Sequence, residues 1–415
     1  MDENARKLGQ KPESGPGSEQ SWRQVADGGK PGVQETAVNI KGIIGQNLKA
    51  AREAADVSQE AFAEMMGISR ATLSGFENGH VAIDSERLVK ASQLLGKPVA
   101  DFFKQEEETL ALLYRAAEDV VPSPSVRARF QRLCEAYREL EEIVGVADSM
   151  LSPPEYKYSQ SFHSKPYQFA AQVAQSERER LGLGQLDPVE NIFKLLDENG
   201  VRVFALNVDQ DRVFGVSGFS SRYGPCILVN TKNTRERNIF TVAHEYGHLL
   251  MHRDLYINPR PTEQKDREME IVADTFAAHF LVPDTGLRDL FNKNVGQKNM
   301  GAEDVVFLKR HFRVSAQVIL RRLRDSDLIP SRVHDEQLER LRKAEPDKTK
   351  EFAPLTMDVV NAWRESCRFQ HLARKAVLSE MVSIGKLAEL LGKSLVQVRT
   401  LVQDWRKEIA VVSAV

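Results

Sequence analysis

The segment from Ile239 to Met251 places His244, Glu245 and His248 between two apolar runs, and it constrains the fold more than any other part of the chain. In an α-helix, positions i and i+4 lie about 40° apart on one face, so both imidazoles can point at a single ion. The apolar neighbours predict that this helix packs one face into a core and turns its polar edge towards a cleft. From the position after His244, the carboxylate of Glu245 can hold a metal-bound water as general base. The pattern therefore predicts a zinc site.

A catalytic zinc takes three protein ligands and one water, so a third ligand has to come from elsewhere in the chain. The next predicted helix offers Glu270 and Asp274, which are again four positions apart. We expect Glu270 to be the third ligand and Asp274 to accept the N–H of a ligating histidine. Three small side chains let this helix approach the first one closely: Ala273, Ala277 and Ala278.

Three other polar residues near the pattern have different expected places. Glu268 lies about 200° round the helix from Glu270 and is predicted to be solvated. His252 falls one turn beyond the histidine pair and is not expected to be a ligand, while His279 faces away from Glu270 and is interpreted as surface or partly packed. The alternative for the whole pattern is an exposed helix whose charges match the motif by chance.

These residues resemble the ImmA/IrrE family of zinc-dependent peptidases over about residues 169 to 283. The resemblance lies in the strand ending at Asn230, in the segment from Glu236 to His248, and in the segment from Glu270 to Pro283. It implies a zincin-like fold, Glu270 as the third ligand, and a substrate that is often a DNA-binding repressor cut at one site. Tyr246 departs from the more usual leucine, and Asn238-Ile239 replace more polar residues. Neither departure touches a ligand.

A second pattern, between Ser58 and Gly79, predicts two short helices joined by a turn at Gly67. Ser58 and Ser69 are suited to cap the helices, and Asn78-Gly79 to end the second. Six side chains are predicted to form the core that joins them: Phe62, Ala63, Met66, Ile68, Leu73 and Phe76. This is helix-turn-helix geometry.

The core assignment leaves Arg70, Ala71, Thr72 and Ser74 on the side that would face a DNA groove. Residues 44 to 103 resemble the Xre family of phage-repressor-like domains, in which the residue at the position of Gln59 often contacts DNA. Residues 41 to 100 carry seven basic and seven acidic side chains, so phosphate contacts alone would give modest affinity. We therefore expect a homodimer on a two-part operator, or help from a partner. The alternative is a helical domain used only for protein contact.

The rest of the chain is assigned by composition and periodicity. We expect a disordered tail (1–40), a helix-turn-helix domain (41–104), a helical pair that spaces or dimerises its neighbours (105–152), a metallopeptidase domain (160–300) and a helical module (301–415). Short strands at 201–205, 213–216 and 226–229 predict a small sheet. The expected fold class is α+β, mostly helical. Residues 382–394 fit either a second helix-turn-helix or a packing or dimerisation module.

Composition narrows the classes of protein. No run approaches the roughly 18 apolar residues of a membrane span, and the first residues lack the pattern of a secretory signal, so we expect a cytoplasmic protein. Cys134, Cys226 and Cys367 form no C-x-x-C pair and are expected to be packing residues rather than zinc ligands. The net charge of -2 leaves nonspecific nucleic-acid binding by the whole chain without an electrostatic cause.

Together, these features predict a DNA-binding transcriptional regulator with a zinc-dependent endopeptidase domain that cleaves a repressor or a toxin-related partner. The strand from Cys226 to Asn230 is expected to lie at the edge of its sheet and to align the substrate as an added strand. The alternative is a transcription factor or antitoxin that cuts nothing and uses its zincin fold for sensing or structure.

Overall fold

The computed structural model describes residues 40–103, 110–116, 121–147, 149–157, 165–257, 267–296, 300–347 and 350–413. The chain divides into two compact units, Met1–Glu107 and Glu108–Val415. The expected disordered tail lies outside the described residues, except for Ile40. Within the described ranges, no helix combines the length and the apolar character needed to cross a membrane.

The first unit is a small all-α domain. Its elements are α1 (Ile40–Ala54), α2 (Gln59–Met66), α3 (Arg70–Glu77), α4 (Ser85–Leu95) and a short 3-10 helix (Val99–Phe103). Ser58 and Ser69 cap α2 and α3 by accepting hydrogen bonds from the third residue on, and Gly67 turns the chain with a φ of 70°. The predicted caps and turn are therefore confirmed.

The core of this unit contains the side chains that the sequence predicts. Phe62, Ala63, Met66, Leu73 and Phe76 are buried, and Ile68 packs against them while partly exposed. Gly45 of α1 brings the first helix onto the end of α3, because a Cβ at this position would collide with the carbonyl oxygen of Phe76. This contact fixes the two helices at a distance that no larger residue allows.

The second unit is built on one mixed sheet of four strands. They are β1 (Ala111–Ala116), β2 (Arg202–Leu206), β3 (Val213–Ser220) and β4 (Gly224–Asn230), in the order β1-β3-β4-β2. β3 is antiparallel to both of its neighbours, and β2 is parallel to β4. The strands expected near 201–205, 213–216 and 226–229 are confirmed.

Two expectations about this sheet are wrong. β4 has β3 on one side and β2 on the other, so the segment Cys226–Asn230 is central and has no free edge for an added substrate strand. Residues 111–116 form an edge strand instead of a helix, because a short apolar run fits either state and its pairing with β3 decides between them. β1 and the following helix thus belong to the second unit and are not a separate spacer.

Helices cover both faces of the sheet. Those up to α10 are α5 (Pro124–Val144), α6 (Pro166–Arg180), α7 (Ile192–Asp197), α8 (Arg235–Met251), α9 (Asp254–Ile257) and α10 (Arg267–Leu281). Four more follow: α11 (Asp284–Asn294), α12 (Ala302–Phe312), α13 (Ala316–Asp325) and α14 (Ser331–Ala344). The last four are α15 (Val359–Ser366), α16 (Arg368–Leu378), α17 (Ile384–Leu391) and α18 (Leu395–Ser413). The predicted class, α+β and mostly helical, is confirmed.

Alternate side chains of the central strands enter two different cores. Ile227 and Val229 of β4 pack with α6, α8 and α10, whereas Cys226 and Leu228 pack with α5 and α16 to α18. This alternation is expected of a strand buried on both faces. Residues 301–415 are helical as predicted, but they join these two cores and do not form a module apart from them. All three cysteines are buried and unpaired.

Candidate metal centre and DNA-facing helix

The helix that carries the metal-binding motif is buried on all sides along most of its length. α8 begins after Thr234, whose side chain accepts a hydrogen bond from the backbone N–H of Arg237, and every residue from Thr241 to Met251 is buried. The predicted polar edge facing a cleft is therefore wrong for this helix. His244 and Glu245 are 1% and 0% exposed, so the site lies inside the unit.

Three predicted ligands lie together. The Nε2 atoms of His244 and His248 are 3.1 Å apart, and the carboxylate oxygens of Glu270 lie 3.6 Å and 3.5 Å from them. One possible ligand atom from each of the three residues lies within 4.8 Å of the other two. The Glu270 side chain is 28% exposed, which makes α10 the open side of the cluster.

A glycine brings α10 this close to α8. A Cβ at Gly247 would lie 2.9 Å from Cδ1 of Phe276 and 3.5 Å from Cα of Ala273. A side chain at position 247 would therefore force the buried ring of Phe276 to shift, on the same helix that carries Glu270. The small residues Ala273, Ala277 and Ala278 are buried as expected, and Gly247 is the matching residue on α8 that the sequence analysis missed.

Each histidine of the cluster has a partner for its other ring nitrogen. Nδ1 of His244 lies 2.8 Å from Oδ1 of Asp274, which is the contact expected for that aspartate. Nδ1 of His248 lies 3.0 Å from Nδ1 of His252, a contact that the sequence analysis missed. Burial, followed by the neighbouring His248, holds the pKa of His252 well below its usual range. A neutral His252 can accept the N–H of His248, which leaves Nε2 of His248 as a donor for a metal.

The carboxylate of Glu270 is held in its charged form. Burial by itself would raise its pKa, but the neighbouring imidazoles of His244 and His248 outweigh burial and lower the pKa below its usual range. A charged carboxylate between two imidazoles is the state that binds a cation. The cluster is therefore prepared for a metal on the electrostatic side as well.

Two residues outside the predicted site hold Glu245. The hydroxyl of Ser217, on β3, donates to Oε2 of Glu245, and the hydroxyl of Tyr256 donates to Oγ of Ser217 over 2.9 Å. Burial and the nearby Glu245 charge raise the pKa of Tyr256 well above its usual range, so its proton stays in place. Gly215, two residues before Ser217, leaves room for the Glu245 side chain beneath the strand. A buried serine inside an apolar strand was the sequence signal for this support.

The donor set and one unpartnered atom fit a zinc ion. Two imidazole nitrogens and one carboxylate are the ligands of a catalytic zinc that keeps a fourth position open. Oε1 of Glu245 is buried and has no hydrogen-bond partner, although buried polar atoms in native proteins are almost always paired. A water held at the metal would satisfy this oxygen.

The remaining polar residues lie where the sequence places them. Glu268 is exposed. His279 is partly buried and contacts Arg322 and Asp284, with its Nε2 3.2 Å from the guanidinium. Burial and the Arg322 charge lower the pKa of His279 to about 4. It is therefore a partly buried packing residue.

Tyr246, which replaces the usual leucine, joins a buried polar network behind the metal cluster. Its hydroxyl donates to Glu177 and accepts a hydrogen bond from Arg180 over 3.0 Å. Tyr156 donates to the same carboxylate over 2.8 Å. The departure from the family pattern thus ties α8 to α6.

In the first unit, the five residues predicted to contact DNA differ in exposure and in hydrogen bonding. Arg70 and Ala71 are exposed, while Gln59, Thr72 and Ser74 are half-buried. The Thr72 hydroxyl is 2.8 Å from that of Ser69, and Ser74 accepts a hydrogen bond from the amide of Asn78. Thr72 and Ser74 are thus engaged by residues at the ends of α3, and the exposed Arg70 and Ala71 remain most available to a ligand.

A buried ion pair supports this surface from below. Nε of Arg52 lies 2.7 Å from Oε1 of Glu77, and both side chains are less than 10% exposed. Gln59 donates to Glu77 over 2.9 Å and accepts from Nε of Arg70 over 3.3 Å. The chain of contacts Arg52, Glu77, Gln59, Arg70 was not expected from the sequence, and it fixes Gln59 against α3.

Comparison with protein families identifies two parts of the chain. Residues 48–102 match the model described as helix-turn-helix, and residues 196–324 match the IrrE N-terminal-like domain of the M78 peptidases. The matches define a class of protein in which a DNA-binding domain is joined to a metallopeptidase-family domain. Within that class, residues 48–102 are an Xre-type helix-turn-helix domain, and residues 196–324 belong to the ImmA/IrrE peptidase family.

Comparisons with whole proteins add little. A search of curated proteins gave no match. Among solved structures, a Mycobacterium tuberculosis transcriptional regulator is 15% identical, with a TM-score of 0.27 over 46% of this chain and 51% of that one. PlcR from Bacillus thuringiensis, solved with a peptide and DNA, is 11% identical, with a TM-score of 0.15 over 90% and 96%. Scores this low do not establish a shared overall fold, and the first match spans about half of that regulator.

Proposed function

We propose that this chain is a transcriptional regulator whose second unit is a zinc-dependent endopeptidase that cleaves a protein partner. The observation that carries the proposal is the state of Glu245, which is fully buried beside the cluster of His244, His248 and Glu270 and keeps one oxygen unpartnered. A structural zinc site needs no buried carboxylate with a free oxygen beside it. A hydrolytic site does, because a base must take a proton there.

Each residue has a distinct role in this proposal. His244, His248 and Glu270 would hold a zinc ion, which supplies Lewis acidity towards a carbonyl oxygen and lowers the pKa of a water. Glu245 accepts a proton at Oε1 and later returns it to the leaving amine. Ser217 occupies the other oxygen of Glu245 and so directs the reactive one. Asp274 and His252 keep the two imidazoles in the tautomers that leave Nε2 free.

The direct test combines metal analysis with one conservative substitution. Native protein is expected to contain about one zinc per chain and to cut a candidate repressor or toxin-related protein, whereas Glu245→Gln should keep its zinc and lose activity by at least about a hundredfold. Glu268→Gln, an exposed carboxylate on α10, is the matched control and should cut normally. Undiminished cleavage by Glu245→Gln would falsify the proposal.

The depth of the site favours a second candidate, in which the zinc is structural or sensory and the chain acts as a repressor or antitoxin without cutting. His244, Glu245 and His248 are each no more than 3% exposed, and a peptide has to reach them from the Glu270 side. Under this candidate, His248→Ala loses zinc and regulation together, while Glu245→Gln regulates normally. Under the first, the two variants fail alike.

For the first unit, we propose that α3 contacts an operator through Arg70 and Ala71, supported by Gln59, Thr72 and Ser74. The balanced charge of residues 41–100 gives little phosphate affinity, so a homodimer on two half-sites is part of the proposal. Footprinting should show two protected segments about one helical turn apart, and sedimentation should give a dimer. A single protected segment with a monomeric protein would remove the dimer from the proposal.

A further inference from the structure

The last helices of the chain repeat the helix-turn-helix arrangement of the first unit. Ser58 caps α2, Gly67 turns the chain nine residues later, and Ser69 caps α3 two residues after that. In the second unit, Ser383 caps α17, Gly392 turns the chain nine residues later with a φ of 60°, and Ser394 precedes α18 by one residue. The lengths of the first helix and of the turn are the same in both places.

The two segments also bury equivalent positions. Placing Ser383 on Ser58 sets Leu387 on Phe62, Ala388 on Ala63 and Val398 on Leu73, and all six side chains are buried. Ser394 and Gln397 cap the start of α18 reciprocally, since the N–H of Ser394 donates to Oε1 of Gln397 over 3.0 Å and the N–H of Gln397 donates to Oγ of Ser394 over 3.3 Å. α16 packs behind both helices through Leu372 and Ala376. The segment therefore has the core and the caps of a helix-turn-helix as well as its spacing.

The outer face of α18 has no partner within the described residues. Leu395 and Val396 are 49% and 72% exposed, at the positions that correspond to Arg70 and Ala71 of α3. Arg399, Gln403 and Arg406 follow Val396 at intervals of three, four and three residues, which places them on one face of the helix. All three are exposed. This face therefore has an apolar start and a polar, basic continuation.

Charge distinguishes this face from an ordinary solvated helix surface. The acidic residues of α18 are already paired, Asp404 with Lys407 at 3.3 Å and Glu408 with Arg374 at 2.7 Å. In the part of the chain that the structure describes, the side chains of Lys393, Arg399 and Arg406 have no ionic or hydrogen-bond partner. Two unpaired cations on the second helix of a helix-turn-helix, with a third in the turn before it, fit contacts with the phosphates on either side of a DNA groove.

We propose that residues 383–406 form a second DNA-binding helix-turn-helix, with α18 as the helix that contacts duplex DNA. Lys393, Arg399 and Arg406 contact phosphates, and the exposed Leu395 and Val396 meet the apolar methyl groups of thymines in the major groove. The chain then contacts DNA through both of its units. This second contact is independent of whether the metal site cuts a protein.

The test compares two triple variants of the full chain with the same change in charge. In the first, Lys393, Arg399 and Arg406 become alanine; in the second, three exposed basic residues of α14, Arg332, Arg340 and Lys343, become alanine. Both are titrated against a random-sequence duplex by fluorescence anisotropy at several salt concentrations. The first variant is expected to bind at least about tenfold more weakly, and the slope of log affinity against log salt should fall by about two to three.

The α14 variant should bind with the native affinity and salt slope. Because all six residues are exposed, thermal unfolding and zinc content should match the native chain in both variants, and Val396→Glu supplies a single change on the same face that should also weaken binding. Equal affinity of the two triple variants would overturn the proposal and assign the α18 face to a protein partner. Absence of duplex binding by the native chain would overturn it as well.

Discussion

The cluster around His244 and the surface of α3 place their functional candidates in opposite ways. On α8, His244 and Glu245 are buried, and each depends on a neighbour from another element for its orientation. On α3, Arg70 and Ala71 are exposed, and the buried polar contact lies beneath them at Glu77. Most buried polar atoms need a partner, so a buried site extends into its surroundings, whereas a surface site needs only a rigid support.

The largest expected effect breaks the support beneath α3. Glu77→Ala leaves the guanidinium of Arg52 buried without its carboxylate, which should destabilise the first unit by about 3 to 5 kcal/mol. Hydrogen exchange of amides in residues 40–103 measures this loss directly. Glu60→Ala, at an exposed position of α2, is the control and should change protection by less than about 0.5 kcal/mol. Unchanged protection in Glu77→Ala would mean that the ion pair does not support the surface.

The burial of His279 predicts a dependence of stability on pH. Burial lowers the pKa of His279 to about 4. Between about pH 6.5 and 4, His279 is therefore protonated in the unfolded chain and neutral in the folded chain. The free energy of unfolding therefore decreases as the pH falls, by about 3 kcal/mol at pH 4 relative to neutral pH. His279→Gln should remove this part of the acid destabilisation, measured by urea unfolding at several pH values. A difference between variant and native protein that stays constant over this range would contradict the assignment.

A smaller effect tests how far the metal site extends. Asp274→Ala and His252→Ala each remove the partner of one imidazole, and each should weaken zinc binding by about 10 to 100-fold. Competition with a chromophoric chelator gives the affinity. Glu268→Ala removes an exposed carboxylate of the same helix and should leave the affinity unchanged. If His252→Ala also left it unchanged, the ring contact with His248 would be packing alone.

The smallest expected effect concerns the exposed surface of α3. Arg70→Ala removes one exposed cation and should weaken operator binding by about five to tenfold, with no change in zinc content or hydrogen exchange. Lys49→Ala, an exposed lysine on α1, matches the loss of charge and should have little effect on binding. Equal losses in both variants would show that affinity depends on overall charge and not on the position of α3.

The parts of the fold that the sequence predicts are those with local causes. Serine caps, the turn at Gly67 and the four-residue spacing of His244 and His248 depend on neighbours within one or two turns of helix, and they are found as expected. Glu270 followed from the same spacing and from the family resemblance.

What could not be predicted depends on partners that are distant in the sequence. β1 is a strand because β3 pairs with it. β4 is central because β2, which precedes it in the sequence, pairs with its other edge. Ser217 and Gly215 reach Glu245 only after the sheet forms. His252 was set aside because it lies one turn beyond the ligands, and that turn is what places its ring against His248.

The two-sided sheet has a consequence for synthesis on the ribosome. The strands that pack against α8 are complete once Asn230 has been made, but Phe204 on their other face packs against Phe369 of α16, which is translated later, as well as against Phe130 and Tyr137 of α5. Until α16 emerges, this apolar face lacks part of its cover. Completion of the core on the far side of the sheet from α8 thus depends on a segment that is translated after α8 itself.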